Sequence, residues 1–171
     1  MKGTLKLKDG RELTVEIDEN TLKSIEEPKK TGYERVCAGE EYYTAFHGKV
    51  VSFHEMAVEE GGICSLKDYE DANYYSDKAI AKNNARADLL MRKLRRFAVE
   101  HRTKELDWND SYEEKRCIAY DHETKQLMNA FNQTYQAFGK IYFDSKETVE
   151  AAIEEFHDEL LWYFTEYKDS L

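Results

Sequence analysis

The chain has 171 residues, 41% of them hydrophobic and 13% aromatic, enough to bury one core without disulfide staples. Its net charge of −10 sets the global field against nucleic acid, so contact with phosphates requires a local basic patch. Cys37, Cys64 and Cys117 are odd in number and share no C-x-x-C, and there is no N-terminal apolar h-region and no run near ~18 apolar residues. These features predict a soluble cytoplasmic protein, with packed thiols and no membrane contact.

"TLKLKDGRELTVEI" alternates Leu5, Leu7, Leu13, Val15 and Ile17 around Asp9-Gly10, a hairpin signal. Asp18 is placed to cap a short helix, "ENTLKSIEE", which Pro28 closes. Residues 1–30 therefore form a hairpin-plus-helix unit ahead of a main domain over 31–171. "EEYYTAFHGKVVSFHE" predicts a second hairpin turning near His47-Gly48, and "VEEGGICSLKDYED" is expected to be loop, softest at Gly61-Gly62.

Asn73-Tyr74-Tyr75 is then extended, Ser76 or Asp77 caps, and a helix runs to about His101 on the seam Ile80, Ala87, Leu90, Leu94 and Phe97. "KRCIAYDHETKQLMNAF" predicts a third hairpin turning at Asp121 to Thr124. Gly139 precedes a strand "KIYF", Asp144 or Ser145 caps, and a last helix carries Val149, Ile153, Phe156, Leu160, Tyr163 and Tyr167 on one face. The fold class is α+β: antiparallel hairpins packed against two long amphipathic helices. Tyr74-Tyr75-Ser76-Asp77-Lys78 lies over Tyr142-Phe143-Asp144-Ser145-Lys146 at an offset of 68, so the main domain reads as two ββ-βα halves, about 33–104 and 108–171. Either the halves are an internal duplication, or strand-cap-helix corners simply recur.

Charge is unevenly placed. Between Ser76 and Lys104 nine basic residues face three acidic ones, a local +6. Arg86, Arg92, Lys93 and Arg96 fall on one flank outside the seam; with Arg95, Arg102 and Lys104 they form the candidate surface for nucleic acid or an acidic partner. The alternative is a solvated face complementing the acidic last helix. That helix carries Glu147, Glu150, Glu154 and Asp158, candidate residues for an acidic docking face that imitates phosphates. Trp162 and Phe164 lie off its apolar line, either closing over the sheet or anchoring a partner.

No catalytic constellation is legible, and no metal or cofactor is implied. His47, His54, His101, His122 and His157 lack ligand spacing, and His54-Glu55 fails as H-E-x-x-H because Val58 holds the second position. Phosphate-cradle and nucleophile-elbow motifs are absent. The nearest fragment to an active site is Asp121-His122-Glu123-Thr124-Lys125, which would hold Mg²⁺ for a nuclease; the same residues suit a hairpin turn. Cys117, beside Ile118, reads as a small buried hydrophobe.

"ANYYSDKAIAKNNARADLLMRKLRRFAVEH" and "FGKIYFDSKETVEAAIEEFHDELLWYFTEY", with the "LKLKDGRELTVEID" and "EEYY" hairpins, resemble a family of small proteins encoded by phages and prophages of Firmicutes. The resemblance covers nearly the whole chain, and most members carry no assigned activity, so it transfers no site residue. In general character the chain is similar to anti-CRISPR inhibitors. The resemblance implies a binding protein whose partner is a host CRISPR effector nuclease; the alternative is a nucleic-acid-binding accessory protein using the helix over 76–104.

Overall fold

The computed structural model describes residues 2–6, 10, 12–16, 30–55 and 63–167. Strands β1 (Lys2–Lys6) and β2 (Glu12–Glu16) pair antiparallel from Lys2↔Glu16 to Lys6↔Glu12, with Gly10 at φ 85° between them. This is the first expected hairpin. The helix expected after Asp18 lies outside the described residues.

β3 (Glu41–Phe46) and β4 (Lys49–His54) form the second hairpin. Its two-residue turn places His47 at φ 51° and Gly48 at φ 77°, the paired positive φ values of a type I′ turn. Gly48 has a second reason to lack a side chain. A Cβ there would meet Leu89 Cδ2 at 2.6 Å, so the turn sits directly on the long helix.

The stretch expected to be loop contains helix α1, Ile63–Glu70. It ends in a Schellman arrangement: Asn73 N–H bonds the Asp68 carbonyl at 2.9 Å and Ala72 N–H bonds that of Tyr69 at 3.1 Å. Ala72 holds the left-handed position at φ 54°, where glycine is usual, so the terminus was hard to recognise. On the face of the β3–β4 hairpin covered by α1, Tyr42 stacks on Tyr74 at 4.3 Å and its hydroxyl donates to Asp68.

α2 spans Lys78–Glu100. Asp77 caps it, accepting from Ala79 N–H at 2.7 Å and Ile80 N–H at 3.0 Å. Its first half turns Ala81 and Ala85 inward, and its second half turns Leu90, Leu94, Phe97 and Ala98 inward.

β5 (Lys115–Asp121) and β6 (Gln126–Asn132) make the third hairpin, with Lys125 at φ 57° in its turn. The expected strand "KIYF" shrinks to one bridge: Phe143 and Arg116 exchange two backbone hydrogen bonds, at 2.8 and 3.1 Å. Ser145, not Asp144, then caps by accepting from Thr148 N–H. The single last helix expected from periodicity is two: α3, Lys146–Glu155, and α4, His157–Thr165, broken at Phe156 with φ −108° and ψ 21°. Neither proline nor glycine stands at the break, and apolar spacing of three and four runs through it, so periodicity is blind to it.

Among the described residues the architecture is therefore α+β, with three separate two-stranded antiparallel sheets and one long helix. The 68-residue offset brings together the bridge residues Tyr75 and Phe143, the caps Asp77 and Ser145, and the helix starts Lys78 and Lys146. The correspondence covers the corner and stops there, because one helix is continuous and the other broken.

The main core joins the second half of α2 to Phe143, Val149, Ala152, Phe156 and Leu160. Each large apolar side chain so buried contributes about 1.5–3 kcal/mol. A polar clasp ties the same helix to both ends of the described main domain. Asn84 donates from Nδ2 to the Tyr33 hydroxyl, and Oδ1 accepts from the Tyr167 hydroxyl, both at 2.7 Å.

Candidate functional site

The three regions that carry charge or chemistry in the sequence converge on one groove of about 490 Å³. α2 supplies Arg86, the β5–β6 hairpin supplies Tyr120 and Lys125, and α4 supplies Asp158, Trp162 and Glu166. The Arg86 guanidinium lies 3.8 Å from the centre of the Trp162 ring, a cation–π contact that fixes both side chains. Trp162 is thereby buried, and Phe164 stacks on Tyr120 at 5.7 Å. Both aromatics close over the domain itself, so neither is the exposed anchor considered above. Two cations face two carboxylates in the groove, which gives a polar, charge-balanced surface.

Outside the groove, the basic flank is largely spent on intramolecular partners. Lys93 approaches Glu159 at 3.8 Å, Arg96 approaches Glu100 at 3.7 Å, Arg102 pairs with Glu105 at 2.9 Å and Lys104 pairs with Glu113 at 2.5 Å. The Glu113 carboxylate holds the Lys104 ammonium above its ordinary pKa, and Lys104 in turn holds Glu113 below its own. Arg92 and Arg95 are exposed and carry no ion pair among the described residues.

The acidic face differs. Glu147, Glu150, Glu154 and Asp158 are all exposed. Among the described residues Glu150 has an ion pair only with Lys146, four residues back on the same helix at 3.6 Å, and Asp158 only with neighbouring His157. Glu147 and Glu154 have no ion pair among the described residues. The eight residues from Glu147 to Glu154 span about 10 Å of helix axis, so three carboxylates share one short, rigid stretch.

The fragment Asp121 to Lys125 is built as a turn. Asp121 accepts from the amides of Glu123 at 2.8 Å and Thr124 at 3.2 Å. Hydrogen bonds from the Thr124 side chain and these amides hold its carboxyl below the ordinary value. Among the described residues no three His, Cys, Asp or Glu side chains are placed to share a metal ion. Cys117 is buried, as expected, with the Lys140 ammonium 3.7 Å from its sulfur.

Sequence reasoning passed over the most polar buried site. Glu55 accepts from Arg35 Nη2 at 2.5 Å, Tyr74 Oη at 2.6 Å and Ser65 Oγ at 2.7 Å. Burial pushes its carboxyl up, but the three donors outweigh that and leave it below the ordinary range. Burial and the same carboxylate push the Tyr74 hydroxyl up to about 12. The partners lie 20, 19 and 10 residues from Glu55, with no local spacing to reveal them. The described helices include none long and apolar enough to cross a membrane. No protein-family model matches the chain, and neither the curated proteins nor the solved structures contain a match.

Proposed function

We propose that the protein works by docking, presenting the acidic face of α3 and the start of α4 to the nucleic-acid-handling surface of a host CRISPR effector nuclease and blocking it. The observation that carries this reading is the contrast between the two faces. Glu147 and Glu154 are exposed with no ion pair among the described residues, and Glu150 and Asp158 are exposed and pair with a basic side chain only from within their own helix. Five of the seven candidate basic residues, by contrast, contact an acidic or aromatic side chain of the chain. Exposed carboxylates on a rigid helix offer a basic cleft the charge it evolved to hold, and such complementarity speeds encounter and fixes register.

The test is a pull-down against CRISPR effectors coupled to a cleavage assay. Inhibition is expected to fall on reversing Glu147, Glu150, Glu154 and Asp158 to lysine together, and to survive Arg92→Glu with Arg95→Glu. Full cleavage at saturating protein removes the proposal. Arg92 and Arg95, exposed and without an ion pair among the described residues, support a second reading, direct nucleic-acid binding with Lys93, Arg96 and Arg102 alongside. Its test is a gel shift at roughly 50 mM salt, where phosphate contacts are strongest; no shift with DNA or RNA ends that reading.

A further inference from the structure

We propose that the open edge of β5 at Ile118 is a docking site for an extended peptide segment of a partner protein, one carrying an apolar side chain beside a carboxylate. The inference is independent of the acidic face.

It comes from comparing the two halves at equivalent positions. Tyr43 exchanges both backbone hydrogen bonds with Tyr75, as Arg116 does with Phe143. Two residues further along the first hairpin strand, the outward backbone groups are those of Ala45 and of Ile118, because strand edges alternate with period two. At Ala45 the edge is closed. Asn73 uses its side-chain amide in place of a strand, with Oδ1 accepting from Ala45 N–H at 2.8 Å and Nδ2 donating to the Ala45 carbonyl at 3.2 Å.

At the offset of 68, the position of Asn73 is held by Ile141, which has no such groups. The outward N–H and C=O of Ile118 have no partner among the described residues. They form the donor–acceptor pair that an added strand would engage.

The side chains beside that edge agree. A cleft of about 290 Å³ opens between β5 and residues 138–141, walled by Leu90, Leu94, Phe143, Leu160 and Phe164. Phe138, at its mouth, is fully exposed. Lys140 stands at the same cleft; among the described residues its ammonium has no ion pair and bonds only the Cys117 sulfur, so its charge is available to a carboxylate. An extended segment would exchange two backbone hydrogen bonds with Ile118, seat one apolar side chain in the cleft and set an acidic group against Lys140.

The substitution Ile141→Asn gives the second half the closure that the first already has. In the free protein, native-state hydrogen exchange should show the Ile118 amide exchanging about tenfold faster than that of Ala45, the effect of one missing hydrogen bond. Equal protection overturns the proposal. The full-length protein would then be panned against a displayed random heptapeptide library. The expected result is enrichment of alternating apolar sequences with an acidic residue, and about thirtyfold weaker binding of the selected peptides to Ile141→Asn. No enrichment, or equal binding to Ile141→Asn with an unchanged circular dichroism spectrum, overturns it. So does a dimer by light scattering that Ile141→Asn dissolves, since the occupant would then be a second copy of the chain.

Discussion

Replacing Glu55 tests the internal organisation of the first half most directly. The residue is 5% exposed and holds three donors, from Arg35, Tyr74 and Ser65. Glu55→Leu removes the buried carboxylate that pairs with part-buried Arg35 and orphans the Tyr74 hydroxyl proton, which should cost about 3–5 kcal/mol. Glu55→Gln keeps size and one acceptor while deleting the charge, so a smaller loss of about 1.5–3 kcal/mol is expected. With a urea slope of about 2 kcal/mol per molar, the leucine variant should lower the unfolding midpoint by about 2 M.

The assay is equilibrium urea unfolding followed by far-ultraviolet circular dichroism. A Glu55→Leu loss below about 1 kcal/mol would refute the reasoning, because an exposed carboxylate would cost no more. A double-mutant cycle with Tyr74→Phe should show coupling of about 1 kcal/mol or more. The sign with pH also follows. The Glu55 carboxyl titrates below its ordinary range when folded, so its contribution is present above the unfolded value and lost as pH falls below it. The difference between wild type and Glu55→Gln should therefore narrow below about pH 4.

Three further outcomes are expected. Asp144 accepts from Thr103 N–H, the Thr103 hydroxyl and Lys104 N–H, at 2.6, 2.7 and 3.2 Å; Asp144→Asn should cost about 1–3 kcal/mol, read as a drop of roughly 3–10 °C in the thermal midpoint. Burial raises the Asp144 carboxyl but those donors prevail, and hydrogen bonds from the Thr31 amide and hydroxyl lower Glu34 to about 2, so acid titration should show stability falling between about pH 4 and pH 2. Gly48→Ala forces a positive φ on a residue whose Cβ meets Leu89, and should destabilise by about 1–3 kcal/mol in urea unfolding.

The elements with local signals were legible. The turns at Gly10 and at His47-Gly48, the caps (Asp77 and Ser145, one residue of each pair the sequence offered) and the α2 seam all depend on residues a few positions apart, and each lies within its expected element. Helix α1 was missed because a pair of glycines precedes it and an alanine, not a glycine, closes it. The strand "KIYF" was overcalled, since its aromatic and β-branched residues satisfy strand propensity whether or not a neighbour pairs with them. The charge asymmetry was visible in the sequence, but which basic residues meet an acid within the chain depended on packing. Lys93 finds Glu159 and Lys104 finds Glu113 only after the halves are folded together. The unsatisfied edge at Ile118 was hidden for the same reason, because it exists only by contrast with Ala45.

The amide of Asn84 grips Tyr33 with its nitrogen and Tyr167 with its oxygen, residues 51 and 83 positions away. Contacts so distant along the chain are slow to close, since ordering entropy must be spent before they reward it. The hairpin turns and helix caps rest on residues a few positions apart, but this fastening waits for the last aromatic turn. Its formation would thus mark completion of folding, and a lesion at Asn84 should loosen both extremities at once while sparing the hairpins.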